Sequence, residues 1–123
     1  MYMGKIGHDV AGKAILDDLH ANGVDTSLVG YSNNGFTSGF SCILLAPSGE
    51  RTIMSYRGAS SHYEITPADF HDTHPEWIYL SSLEGNFEVL DTVFDYAHTH
   101  NIKIAMNHSK KELAAKGVDV SNL

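Results

Sequence analysis

A short apolar strand that turns through a glycine-bearing corner into an amphipathic helix constrains this chain more than any other feature. Residues 2–6 form the strand, Gly7 and Asp9 the corner, and Ala11, Ile15 and Leu19 recur at four-residue spacing until Asn22-Gly23 stops the helix. Strand, corner and helix make half of a βαβ unit. A chain that opens this way is expected to build an α/β fold, with a mostly parallel sheet flanked by helices.

The rest of a 123-residue chain must complete that layer, which allows one domain or part of one. Hydrophobic content of 42% and charged content of 19% are those of a globular protein. A net charge of −7, spread along the chain, argues against a phosphate-backbone binder, so no nucleic-acid partner is expected. The longest strictly apolar run, Cys42 to Ala46, is too short to span a bilayer, and no charged-then-apolar leader is read at the start. One cysteine excludes an internal disulfide and fits a reducing compartment. No membrane association and a cytoplasmic location are expected.

A second strand is expected within Val24–Tyr31, closed by Asn33-Asn34-Gly35. Phe36–Ala46 and Arg51–Arg57 are β-rich and joined by Pro47-Ser48-Gly49-Glu50, the composition of a tight turn, so residues 36–57 read as a hairpin. On it Phe40, Cys42 and Leu44 share a face, and Thr52, Met54 and Tyr56 alternate on the partner strand. Gly58-Ala59-Ser60-Ser61-His62 reads as a small-residue hinge, and Thr66-Pro67-Ala68-Asp69 as a helix cap. A buried strand at Trp77–Leu80 follows, then a helix from Asn86 to His100 with Phe87, Leu90, Phe94 and Ala97 as its apolar stripe. Ile102–Met106 is the next strand and Lys110–Lys116 a short helix ended by Gly117. The opening strand has no lead-in, and the tail 118–123 stops where another strand is due, so the chain is expected to be an internal portion of something longer.

Four features bear on chemistry. Gly7 to Lys13 has the spacing of a phosphate-binding loop, but Ala14 stands where a magnesium-binding hydroxyl belongs, and Gly12-Lys13 falls within the helix. Close strand–helix packing is the competing reading of those glycines. Eight histidines include His71 and His74, three apart but beside Pro75, which stands against a continuous helix presenting both, and His98 and His100, two apart and pointing in different directions on a helix, so no metal site is expected. Glu84 follows the Trp77–Leu80 strand, at the strand end where ligands collect in open α/β sheets, and can accept hydroxyl hydrogen bonds there; it can equally be a loop charge near a helix N-terminus. Asn107 and His108 hold the corresponding place after Met106. The hairpin's Phe40, Cys42, Tyr56 and Arg57 suit a lid over a hydroxyl-rich or anionic ligand, or a hairpin packed on its own sheet or a partner.

Taken in order, Gly4-Lys5-Ile6-Gly7-x-Asp9-x-x-Gly12, Gly23-Val24-Asp25-Thr26, Thr37-Ser38-Gly39, Gly49-Glu50-Arg51, Arg57-Gly58-Ala59 and Leu83-Glu84 resemble the ribokinase (PfkB) family of carbohydrate kinases. The resemblance covers essentially the whole chain and matches an internal portion of that family's α/β domain. It implies a partial ribokinase-like domain over residues 1–123, with the hairpin of about 36–57 inserted as a lid and frequent dimer contact. It further implies a parent enzyme that transfers the γ-phosphate of ATP, with Mg2+, to a hydroxyl of a sugar or sugar acid. By position, Glu84 resembles the glutamate that holds the sugar, and Phe40 and Cys42 the lid side chains that close over it. Tyr56 and Arg57 resemble contacts to an acidic sugar in ketodeoxygluconate kinases, and Asn107 the asparagine of an Asn-Pro element, here followed by His108.

Elements of that family are also missing from this sequence. The upstream glycine-and-asparagine segment, the Asn-x-x-Glu element linked to magnesium and phosphate, and the Gly-Ala-Gly-Asp element that supplies the general base have no counterpart. The isolated chain is therefore expected to be catalytically silent, to carry no catalytic residue and to hold no tightly bound cofactor. Two other readings remain: an assembly module that self-associates, as a homodimer or higher, through the hairpin and exposed sheet, and a small nucleotide-binding protein using Gly7–Lys13.

Overall fold

Asp9 decides where the first helix starts. Its backbone is extended, and its carboxylate accepts the Gly12 N–H at 2.7 Å, satisfying one of the amides that a helix N-terminus leaves without a partner. In this computed structural model, which describes residues 1–83, 85–109 and 112, β1 (Met3–Ile6) thus leads through Gly7 to α1 (Val10–Ala21). Asn22 ends α1, and β2 (Leu28–Tyr31) returns parallel to β1, with Met3 opposite Leu28 and Ile6 opposite Tyr31. The second strand is shorter than the expected Val24–Tyr31 segment, because the Asp25 carboxylate accepts the Ser27 N–H and turns the chain there. The inward residues of α1 are Gly12, Leu16 and Leu19, while Ala11 and Ile15 are exposed. The cap fixes the helix phase, and the four-residue spacing of Ala11 and Ile15 marks the wrong edge of the stripe.

β3 (Phe40–Leu45) and β4 (Arg51–Tyr56) form the antiparallel hairpin, closed by Ala46 N–H to Glu50 O at 2.8 Å. Every residue of both strands is exposed. The following Gly58–His62 segment is a turn of 3₁₀ helix with Gly58 and Ala59 buried, not the open hinge its small residues suggested. The Ala59 N–H donates to Thr37 O at 2.8 Å, and a Cβ on Gly58, whose φ is +52°, would collide with that same carbonyl. Small residues are required here by a close crossing of two chain segments.

Met1–Tyr63 form one compact unit and Glu64–Leu123 a second. In the second, the Thr66 N–H donates to the Asp69 carboxylate at 2.7 Å, starting a 3₁₀ turn over Pro67–Phe70. β5 (Trp77–Leu80), α2 (Phe87–His100) and β6 (Lys103–Met106) complete a second crossover, with Trp77 opposite Lys103 and Leu80 opposite Met106 in parallel. Asn86 caps α2 by accepting the Val89 N–H, and Asn101, at φ +56°, ends it with Ile102 N–H donating to Ala97 O. The core of this unit comprises Phe70, Leu80, Val89, Leu90, Val93 and Ala97.

Two expectations need correction here. The α2 stripe centres on Val89, Leu90, Val93 and Ala97, while Phe87 lies at its margin, 41% exposed. The β5 strand is not buried throughout: Trp77 and Tyr79 are 58% and 68% exposed. Ile78 and Leu80 occupy the other face, the inward one, and alternation sends the two aromatic rings away from it. The Lys103 ammonium lies 5.2 Å from the Trp77 ring centre, a cation–π contact on that open face. Except for Glu112, the expected helix Lys110–Lys116, its stop at Gly117 and the tail 118–123 lie outside the described residues. No helix among the described residues is long and apolar enough to cross a membrane.

Candidate functional site

In the first unit the glycine corner and the hairpin root are tied by a buried serine, through its hydroxyl and its amide. Ser38, 4% exposed, accepts the Gly7 N–H at 2.9 Å through Oγ and donates that Oγ to Asp9 Oδ1 at 2.9 Å. Its own N–H donates to Asp9 Oδ2 at 2.6 Å. Backbone hydrogen bonds from Gly12 and then Ser38 hold the Asp9 carboxyl below the usual aspartate range, overcoming the opposing effect of burial. Asp9 is thus an ionised structural acceptor already in use on both oxygens. A Cβ on Gly12 would run into the Gly7 carbonyl, so close backbone approach accounts for that glycine.

This arrangement bears directly on the phosphate-loop reading. A phosphate cradle presents free backbone N–H groups to its ligand. Here the Gly7 N–H belongs to Ser38 and the Gly12 N–H to Asp9, while the Lys13 ammonium pairs with Asp17 on the exposed side of α1. The described residues do not fit a nucleotide phosphate at this corner. Nor, among them, do three or more histidine, cysteine, aspartate or glutamate side chains come together as a metal site would need.

Of the four hairpin candidates, Phe40, Cys42 and Tyr56 share one face of the hairpin. Phe40 stands directly opposite Tyr56, and Cys42 opposite Met54, so these four side chains form a continuous patch. Phe40 is 63% exposed, and Cys42 is a free, exposed thiol. Arg57 follows Tyr56 at the hairpin root, where its carbonyl accepts both the N–H and the hydroxyl of Ser60. A Cβ on Gly39 would stand 2.6 Å from that same carbonyl. The Thr37-Ser38-Gly39 and Arg57-Gly58-Ala59 motifs are therefore the two sides of one close crossing, which sets the base from which the hairpin projects.

In the second unit the carboxyl ends of β5 and β6 lie side by side, because the Asn107 N–H extends the ladder to Leu80 O at 2.9 Å. Asn107 is exposed at this end, and His108 follows it with Nδ1 buried and without a hydrogen-bond partner among the described residues. Glu84, the leading sequence candidate, lies outside the described residues; its neighbours Leu83 and Gly85 are both described. Their amides converge on Glu112 Oε1, at 2.7 Å from Leu83 N and 3.4 Å from Gly85 N. Oε2 accepts the Ser109 N–H at 2.5 Å, and the Glu112 N–H returns to Ser109 Oγ at 3.2 Å. Burial pushes the Glu112 carboxyl up, but hydrogen bonds from Ser109, Leu83 and Gly85 together outweigh it and hold the group below the usual glutamate range. Glu112 is absent from the sequence-derived candidates, although Ser109-x-x-Glu112 is a capping-box pattern that marks it.

Comparison with known proteins gives this geometry a context. A family model described as pfkB family carbohydrate kinase matches residues 1–120. The chain is 35% identical over 109 residues to ribokinase of Bacillus subtilis (strain 168), a match covering 85% of this chain and 36% of that protein. It is 30% identical over 77 residues to 5-dehydro-2-deoxygluconokinase of Clostridium botulinum (strain Alaska E43 / Type E3), covering 63% of the chain and 22% of that enzyme. Among solved structures, ribokinase from Giardia lamblia superposes with a TM-score of 0.70 at 17% identity, over 88% of this chain and 36% of that one. The last likeness shows a ribokinase-like α/β fold. The chain thus spans about a third or less of the length of the curated relatives it matches.

Proposed function

Because the chain belongs to the pfkB family of carbohydrate kinases, we propose that it forms the acceptor side of an ATP-dependent kinase that phosphorylates a hydroxyl of a sugar or sugar acid. The family match over residues 1–120 carries this reading. The reading of residues 1–123 as one partial domain, with the hairpin inserted in it, belongs to the same proposal.

Phosphoryl transfer asks for a positioned nucleophile, a base and neutralisation of developing charge. The proposed share of this chain is positioning. Glu84, which follows β5 in the sequence, is the proposed acceptor of hydrogen bonds from the sugar hydroxyls and so the group that orients the ring. The exposed patch of Phe40, Cys42 and Tyr56 is the proposed lid surface, whose part is to keep water from competing as nucleophile. Arg57, at the hairpin root, meets the carboxylate of an acidic sugar, and Asn107 lies at the neighbouring strand end. ATP and Mg2+ belong to sequence elements not found among these residues, and the described residues offer neither a phosphate cradle nor a metal cluster to replace them.

The names of the two curated relatives, a ribokinase and a 5-dehydro-2-deoxygluconokinase, set the acceptor classes to try first. The complete kinase, given ATP and Mg2+, consumes ATP only when a pentose, hexose or sugar acid is supplied; no sugar-dependent consumption across that panel contradicts the proposal. The 123-residue chain alone is silent in the same assay. Turnover by it at kinase rates of roughly 1–100 s⁻¹ would overturn the division of labour proposed here. Self-association through the hairpin is a compatible second role, favoured by the apolar side chains exposed on both of its faces, Phe40 and Met54 on one and Ile43 and Ile53 on the other.

A further inference from the structure

Glu112 is fully buried, at 0% exposure, and carries a charge that none of the described hydrogen bonds pairs with a cation. Burying a carboxylate is costly unless its oxygens are satisfied, and here every described partner is an N–H or hydroxyl. A capping box at Ser109 would need only one of the oxygens. The other, Oε1, is used 27 and 29 residues away, on Gly85 and Leu83. Those two residues flank Glu84 on either side.

We propose that Glu112 is a positioning residue: its carboxylate ties Leu83 and Gly85, in the loop after β5, to Ser109 after β6, and so fixes the backbone of the loop that the proposed function assigns to the sugar. This inference rests on the reading of Glu84 as a sugar ligand. The chemistry requires a carboxylate. Both ends of the bridge are N–H donors, so both oxygens must accept. A glutamine offers one acceptor and turns an NH2 donor toward a donor at the other end, losing either the loop or the cap. Aspartate keeps the charge but is one methylene short of spanning both.

The test compares wild type, Glu112→Gln, Glu84→Ala and the double variant in the complete kinase, with D-ribose and 5-dehydro-2-deoxygluconate as probes. Amide exchange at Leu83 and Gly85 in Glu112→Gln is expected to quicken by about tenfold or more while the α2 interior keeps its protection. The KM for the accepted probe is expected to rise by about tenfold with that for ATP within about twofold, and the double variant to be no worse than Glu84→Ala alone. Unchanged exchange overturns the tie. Faster exchange with an unchanged sugar KM, or losses that multiply in the double variant, overturns the positioning role. A sugar KM unaffected by Glu84→Ala defeats the reading of Glu84, and the positioning role with it, whatever the exchange shows. Should Glu112→Gln fail to fold, Glu112→Asp replaces it, and wild type alone still decides: a saturating probe sugar slows exchange at Leu83 and Gly85, or the inference is wrong.

Discussion

Ser38 sits between a turn and a hairpin in sequence, yet it joins the two motifs that most identify this chain. One hydroxyl and one amide reach Gly7 and Asp9, so the corner after β1 and the root of the hairpin stand or fall together. Replacing Asp9 by alanine removes a helix cap as well as both Ser38 contacts, and the midpoint of thermal unfolding is expected to fall by several degrees. Asp9→Asn tests the charge. Because the folded-state carboxyl titrates below its ordinary value, its contribution is complete above that ordinary value and lost as pH falls through the folded one. The stability gap between wild type and Asp9→Asn, measured by denaturant titration, is therefore expected to be constant near neutrality and to close in strong acid. A gap that widens on acidification would contradict this account. The glycine spacing and Asp9 were legible in the sequence. Their partner was not, because a contact between positions 9 and 38 leaves no local periodicity.

At the scale of elements, caps and stops were easier to read than faces. Asn22-Gly23, Thr66-Pro67 and Asn101 end or begin elements as their chemistry dictates. The faces of α1 and α2 both turned relative to the apolar spacing, toward Gly12 and Leu16 in one and Val89 and Val93 in the other. Tertiary packing accepts a glycine or a valine where a pattern favours larger residues, and leaves Phe87 at the margin. Leu90, 1% exposed, anchors the second core, and Leu90→Ala is expected to cost about 2–5 kcal/mol in denaturant unfolding. A loss below about 1 kcal/mol would place the core elsewhere. On the hairpin, Phe40→Asp puts a charge on the apolar face at little cost to a fully exposed strand. Sedimentation is expected to show self-association by wild type and weaker association by the variant. Equal association by both would remove the hairpin from the interface.

For the whole molecule, the order of motifs carried more than any motif alone. Gly7–Lys13 by itself suggests a phosphate cradle; followed by Gly23-Val24-Asp25-Thr26 and the hairpin motifs it resembles a packing corner of the PfkB family, and the hydrogen bonds of Gly7 and Gly12 agree. Two parallel crossovers and an intervening antiparallel hairpin were legible from the same order. Glu112 was missed because its significance lies in amides 27 and 29 residues away, which no local pattern announces. The central claim is that this chain supplies the acceptor side of a sugar kinase and that its glycine corner does not touch nucleotide. Steady-state kinetics of Glu84→Ala and Lys13→Ala in the complete kinase test it most directly. The account predicts that Glu84→Ala raises the sugar KM by about tenfold or more with the ATP KM unchanged, and that Lys13→Ala leaves both within about twofold. A raised ATP KM in Lys13→Ala, or an unaltered sugar KM in Glu84→Ala, would contradict it.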